Sequence, residues 1–244
     1  MPPANYKTVF QANYKPRLDF YSRMYEIAAA LPDYPDWMTN GLAITLQNLD
    51  DWCSVTLGHS SFMYIREIQK ENPKNGDKKR IQKMLDVFTP ALQVENMQRV
   101  GLRCWFLSPV EMSFDQLVEV ISKKFLVDNK EIREGICPET TDVAYAVHFI
   151  DNTFKVQLRV GPMRKEEIEM QFVPNRNVNV PVKKRTLPPE ELFEEMPDVS
   201  LLMDIDVSRT DVKSKDIYAI FEEGLKLHER LADNIAKYVF SVKA

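Results

Sequence analysis

Glycine is scarce in this chain, with 7 among 244 residues. That count argues against glycine-rich loops that cradle phosphate and against a turn-rich all-β sandwich. Cysteine is nearly as sparse. Cys53, Cys104 and Cys137 are odd in number and widely spaced, which suits reduced, structural thiols in a cytoplasmic protein better than a disulfide framework. The three histidines, His59, His148 and His228, are scattered, and no Cys-x-x-Cys or His-x-x-x-His spacing offers a zinc site. No apolar run approaches the roughly 18–20 residues needed to cross a bilayer. The opening Met1-Pro2-Pro3-Ala4-Asn5-Tyr6-Lys7 lacks the basic-then-apolar layout of a signal peptide. Walker, dinucleotide, nucleophile-elbow and kinase signatures are all missing. A net charge of −4 supplies no overall pull toward nucleic acid or an anionic membrane.

What is present is a globular composition, 44% hydrophobic and 28% charged, with enough apolar residues for a sizeable core. Residues 1–15 read as an arm without clear period. Apolar residues at 3–4 spacing, Leu18, Tyr21, Met24, Tyr25, Ala28 and Leu31, predict a helix over 16–31 that stops at Pro32. Pro32-Asp33-Tyr34-Pro35-Asp36 reads as a turn. Alternation at 42–46 and 53–57, and the apolar stretch 62–68, predict a three-stranded meander. A helix with Ile81, Met84, Leu85, Phe88 and Leu92 on one face follows. The next strand, 99–107, sends Val100, Leu102, Cys104 and Phe106 one way and Arg99, Arg103 and Trp105 the other. Ser113 with Gln116 three residues on is a capping-box signature, opening a helix that buries Phe114, Leu117, Val118, Ile121 and Phe125.

Strands are expected again at about 143–150, 154–161 and 166–172. A proline-rich stretch, 174–197, carries Lys183-Lys184-Arg185 and the pairs Glu190-Glu191 and Glu194-Glu195. A strand through Leu201-Leu202-Met203-Asp204-Ile205-Asp206-Val207 and a helix over 214–239 complete the chain. The element order suggests two β-β-β-α-β-α-like halves, 1–130 and 131–244, packed as one compact unit. The fold expected is α+β, mainly antiparallel, with helices on one face of the sheet.

Two segments resemble a sporadically distributed, functionally uncharacterised family of bacterial and archaeal proteins. Arg99-Val100-Gly101-Leu102-Arg103-Cys104-Trp105 is similar to its R-x-G-L-R-aromatic strand. Leu201-Leu202-Met203-Asp204-Ile205-Asp206 with Leu227-His228-Glu229-Arg230 is similar to its L-x-D-I-D … L-H ending. The resemblance covers roughly 40–240. It departs where the family continues into Ile-Asn, since this chain reads Phe106-Leu107 after Trp105, and at the opening segment. It implies a fold and no established activity.

Candidate functional residues follow from the polar sides of these strands. Asp204 and Asp206 stand i and i+2 on a strand, so both carboxylates can approach one hard cation such as Mg²⁺ or Ca²⁺. That arrangement would suit a metal-dependent hydrolase or nuclease. Alternatively they decorate the polar side of a sheet or pair with Lys155 and Arg159. The binding-face candidates are Arg103, His148, Arg159, Asp204, Asp206 and His228. His228 shares its helix stripe with Ile217, Phe221, Gly224, Leu231, Ile235 and Tyr238, where a core or interface role is the simpler reading. The basic run Lys70, Lys74, Lys78, Lys79, Arg80 and Lys83 lacks interleaved aromatics, which favours a solvated face over a nucleic-acid site. The sequence favours a soluble, non-catalytic binding protein without a cofactor, with a protein partner or a second copy as its ligand. The alternative is hydrolysis around a divalent metal held by Asp204 and Asp206.

Overall fold

The structure, a computed structural model, describes residues 3–48, 51–67, 74–125, 140–172 and 196–241. Cys137, Lys70 and the charged, proline-rich stretch up to residue 195 lie outside the described residues, as does the side chain of Lys74. Among these residues nine strands form one sheet in which every neighbouring pair is antiparallel. In chain order they are β1 (Ala4–Tyr14), β2 (Asp36–Thr39), β3 (Ala43–Asn48), β4 (Cys53–Gly58), β5 (Ser61–Glu67), β6 (Asn96–Pro109), β7 (Tyr145–Asp151), β8 (Phe154–Arg164) and β9 (Val199–Lys213). Across the sheet the order is β2-β3-β4-β5-β1-β6-β9-β8-β7.

Among the described residues five α-helices accompany it: α1 (Phe20–Ala29), α2 (Lys74–Ala91), α3 (Phe114–Phe125), α4 (Lys165–Phe172) and α5 (Ile217–Phe240). The fold is therefore α+β with a large antiparallel sheet. Four helices cover one face. α1 lies against β3 and α2, α3 against β8, and α5 against β6 and β9. The rings of Phe62 and Tyr14 meet Phe88 of α2. Period-two alternation puts Phe10, Ala12 and Tyr14, Val100, Leu102 and Cys104, and Met203, Ile205 and Val207 into this core. Each fully buried large aliphatic or aromatic side chain contributes about 1.5–3 kcal/mol. α5 comes close to the sheet because Gly224 has no side chain; an added Cβ would stand 3.3 Å from Leu102 Cδ2 and 3.4 Å from Val207 Cγ2. A small second cluster, Leu107, Ile168 and Met196, closes one end of the opposite face.

Four expectations need correction. The opening arm is β1, hydrogen-bonded between β5 and β6 in the middle of the sheet; its alternation of Thr8, Phe10, Ala12 and Tyr14 with Lys7, Val9, Gln11 and Asn13 is regular but mixes polar residues on both sides. The turn 32–36 runs directly into a short edge strand, β2. Residues 166–172 lie in helix α4 rather than a strand, so among the described residues the third strand of the supposed repeat is not found at this place. Finally, α1 buries Phe20, Met24 and Ile27 and leaves Tyr21 and Tyr25 exposed, because the adjoining α2 and β3 lie about one residue around the helix from the stripe expected.

Candidate binding face

The sheet face away from the four helices is polar across its middle. Pairing registers place its side chains in transverse rows. One row runs Ser54, Ile65, Val9, Arg103, Asp206, Gln157, His148. The next runs Glu67, Lys7, Trp105, Asp204, Arg159, Ala146. Five of the six sequence candidates, Arg103, His148, Arg159, Asp204 and Asp206, thus share one surface. His228 does not. It sits on α5 beneath the sheet, fully buried, and takes no part in this face.

The two aspartates are each engaged by an arginine of β6. Arg103 holds Asp204 through two bonds, Nε to Oδ1 at 2.7 Å and Nη2 to Oδ2 at 2.6 Å, a planar fork on a planar carboxylate. Arg99 reaches Asp206 at 3.2 and 3.3 Å. It does so by lying along its own strand over Gly101, where an added Cβ would stand 2.7 Å from Nη1 of Arg99. The Arg-x-Gly-Leu-Arg and Asp-Ile-Asp segments are therefore two sides of one cross-strand ion-pair ladder. Trp105 extends it. Arg103 lies 5.7 Å and Lys7 5.0 Å from its ring centre, and Lys7 pairs with Glu67 at 3.0 Å. Such cation–ring contacts fix the indole as a preformed platform.

Burial raises the Asp206 carboxyl above its ordinary value, and the Arg99 and Arg103 guanidiniums oppose that rise. The Asp204 hydrogen bond does the opposite service for Arg103, holding its guanidinium firmly charged. Both carboxylates carry a guanidinium, and the described residues hold no group of three or more His, Cys, Asp or Glu able to ligate an ion.

Arg159 stands in register with Asp204, but both oxygens of that aspartate are taken by Arg103. Neither Arg159 nor Lys155 forms an ion pair among the described residues, and both are exposed. His148 and Gln157 are exposed beside them. In the basic run on α2, Lys78 pairs with Glu222, Arg80 with Asp51 and Lys83 with Asp33.

One charged group lies where sequence reading did not look. Arg66 of β5 is buried on the helix side, donating to Asp77 of α2 at 2.6 Å and to Thr8 at 3.0 Å. Tyr64 also donates to Asp77, at 2.6 Å. The alternation Phe62, Tyr64, Arg66 was the available signal, since it puts an arginine on an apolar face. Nearby thiols are inert: burial pushes Cys53 up to about 11 and Cys104 up to about 12.

No helix among the described residues is long and apolar enough to cross a membrane. Neither a protein-family model nor a curated protein matches the chain.

Proposed function

We propose that this chain is a soluble, non-catalytic binding protein that receives an acidic protein segment on the open face of its sheet. The observation that carries the reading is the asymmetry of that face. Its aspartates are neutralised by Arg99 and Arg103, while Arg159 and Lys155 stand exposed without ion pairs among the described residues. An incoming carboxylate meets two cations that need not abandon a partner, beside the Trp105 platform. A cytoplasmic setting accords with the two buried, unbridged thiols. The resemblance to the bacterial and archaeal family belongs to the same proposal, its motif residues being those that meet in the ion-pair ladder.

Titrating isotope-labelled protein with a poly-glutamate peptide tests this reading. Amide shifts concentrated on β6, β8 and β9, and lost in Lys155→Glu/Arg159→Glu, are expected. Shifts that are absent, or that survive the charge reversal, reject it. The hydrolase alternative makes its own demand. Mg²⁺, Mn²⁺ or Ca²⁺ would have to raise the melting midpoint of wild type and not of Asp204→Ala/Asp206→Ala; the guanidinium partners lead us to expect no shift in either protein.

A further inference from the structure

The two edges of the sheet are guarded very differently. β2 is four residues long and follows Pro32 and Pro35, the short, proline-flanked kind of edge that resists pairing. β7 is seven residues long, Tyr145-Ala146-Val147-His148-Phe149-Ile150-Asp151. It has no proline and no lysine, and its one carboxylate, Asp151, is held by Arg230 of α5. Among the described residues nothing pairs with its outer side. Ile150 is 73% exposed there.

The β7–β8 turn tells which backbone groups face outward. Asp151 is in register with Phe154 across the two residues Asn152 and Thr153, with Asn152 at φ 53°. In a two-residue hairpin the closing pair exchanges both ladder bonds, and bonding direction then alternates along the strand. Tyr145, Val147, Phe149 and Asp151 thus turn their amides toward β8, and Ala146, His148 and Ile150 turn theirs to the open edge.

We infer that β7 is a self-association edge that joins two copies of this chain, antiparallel, about a twofold axis at His148. The strand is self-complementary in that register. Ala146 faces Ile150 of the second copy, burying the exposed isoleucine against a small side chain. Val147 faces Phe149 on the helix side, which continues the apolar layer to which both already belong. No carboxylate meets a carboxylate: Asp151 falls opposite Tyr145. All three outward residues find partners, Ala146 with Ile150 in both directions and His148 with its own counterpart, so each open amide and carbonyl along the centre of the edge is satisfied. The axis is perpendicular to the sheet, so the two open faces lie on the same side and become one continuous surface. This association does not depend on what that surface binds.

Light scattering on the full chain during size exclusion, across a concentration series, measures the oligomeric state directly. A dimer is expected for wild type. Ile150→Lys, a change at an exposed position, should give a folded monomer whose melting midpoint, unlike that of wild type, does not rise with protein concentration. His148→Cys should give a disulfide-linked dimer on mild oxidation where wild type does not, since a directly opposed bonded pair has its Cα atoms about 5.5 Å apart. Wild type that stays monomeric at every concentration overturns the inference. So does a dimer that survives Ile150→Lys and is not cross-linked through His148→Cys, which would put the interface elsewhere.

Discussion

Arg66 and Asp77 leave 4% and 7% of their side-chain surfaces exposed, so their charges interact with little screening by solvent. Removing one partner strands the other. Asp77→Asn leaves the guanidinium unpaired and should cost about 3–5 kcal/mol, whereas replacing both with apolar residues of similar volume should cost far less. Urea unfolding of Asp77→Asn and of Arg66→Met/Asp77→Leu distinguishes the two outcomes; equal losses would mean the charges themselves matter little. His228 poses a second residue-scale problem. Nδ1 is 2.7 Å from the Gly224 carbonyl and Nε2 is 2.8 Å from the Ile205 carbonyl, and a neutral ring can donate to one of them. Burial lowers its proton affinity, and the carbonyls and Asp206 only partly restore it. The folded chain therefore holds fewer protons at this site than the unfolded chain once the pH drops below the ordinary value of 6.5. Stability from the neutral ring is complete above 6.5 and drains away as pH falls toward the lowered folded value. Asp206, raised by burial, acts in the opposite sense at lower pH. Melting midpoints followed downward from neutral pH should fall more steeply for wild type than for His228→Gln; parallel curves would show that this imidazole does not titrate differentially.

Elements ended by local chemistry were legible where that chemistry uses its usual residues. Ser113 and Gln116 exchange the two bonds of a capping box, at 2.9 and 3.2 Å, and α3 begins where those residues predict. The end of α2 uses the same logic with an unusual residue. Val94 donates to Thr89 at 3.0 Å and Gln93 to Pro90 at 3.2 Å, a Schellman closure whose left-handed position is Gln93, at φ 48°. A glutamine there gives no signal in sequence, because glycine is the residue that marks such positions. Gln93→Gly relieves the contact between Cβ and the following carbonyl and should stabilise the protein by about 1 kcal/mol. Chemical denaturation measures it, and a loss of stability would mean that the glutamine side chain makes up for its strained backbone. The helix α4 was missed for a related reason. Ile168, Met170 and Phe172 fit a strand's alternation as well as a short helix, and over eight residues periodicity does not separate the two.

At the scale of the whole molecule, five candidates meet on one face because β9, from the far end of the chain, pairs with β6 and carries β8 and β7 beside it. That adjacency is a matter of topology, and local pattern carries little trace of it: Arg103 and Asp204 are 101 residues apart in sequence. The pattern did show which side of each strand was polar, so the composition of the face was readable and its assembly was not. The same topology bears on how the chain unfolds. β6, before residue 130, lies between β1 and β9, and α5 from the end of the chain covers β6 and β9 together. One apolar core runs through both parts, from Ile44 to Val239. A fragment of residues 1–130 would expose Val100, Leu102, Cys104 and Phe106 along a long unpaired edge. We expect that fragment to aggregate or to lack a cooperative transition. The full chain should melt in a single step whose calorimetric and van't Hoff enthalpies agree, measured on Ile150→Lys so that dissociation of copies does not distort the comparison. Two resolved transitions, or a soluble 1–130 fragment with native-like amide dispersion, would show that the halves are separate folding units and that the β6–β9 seam joins domains already formed.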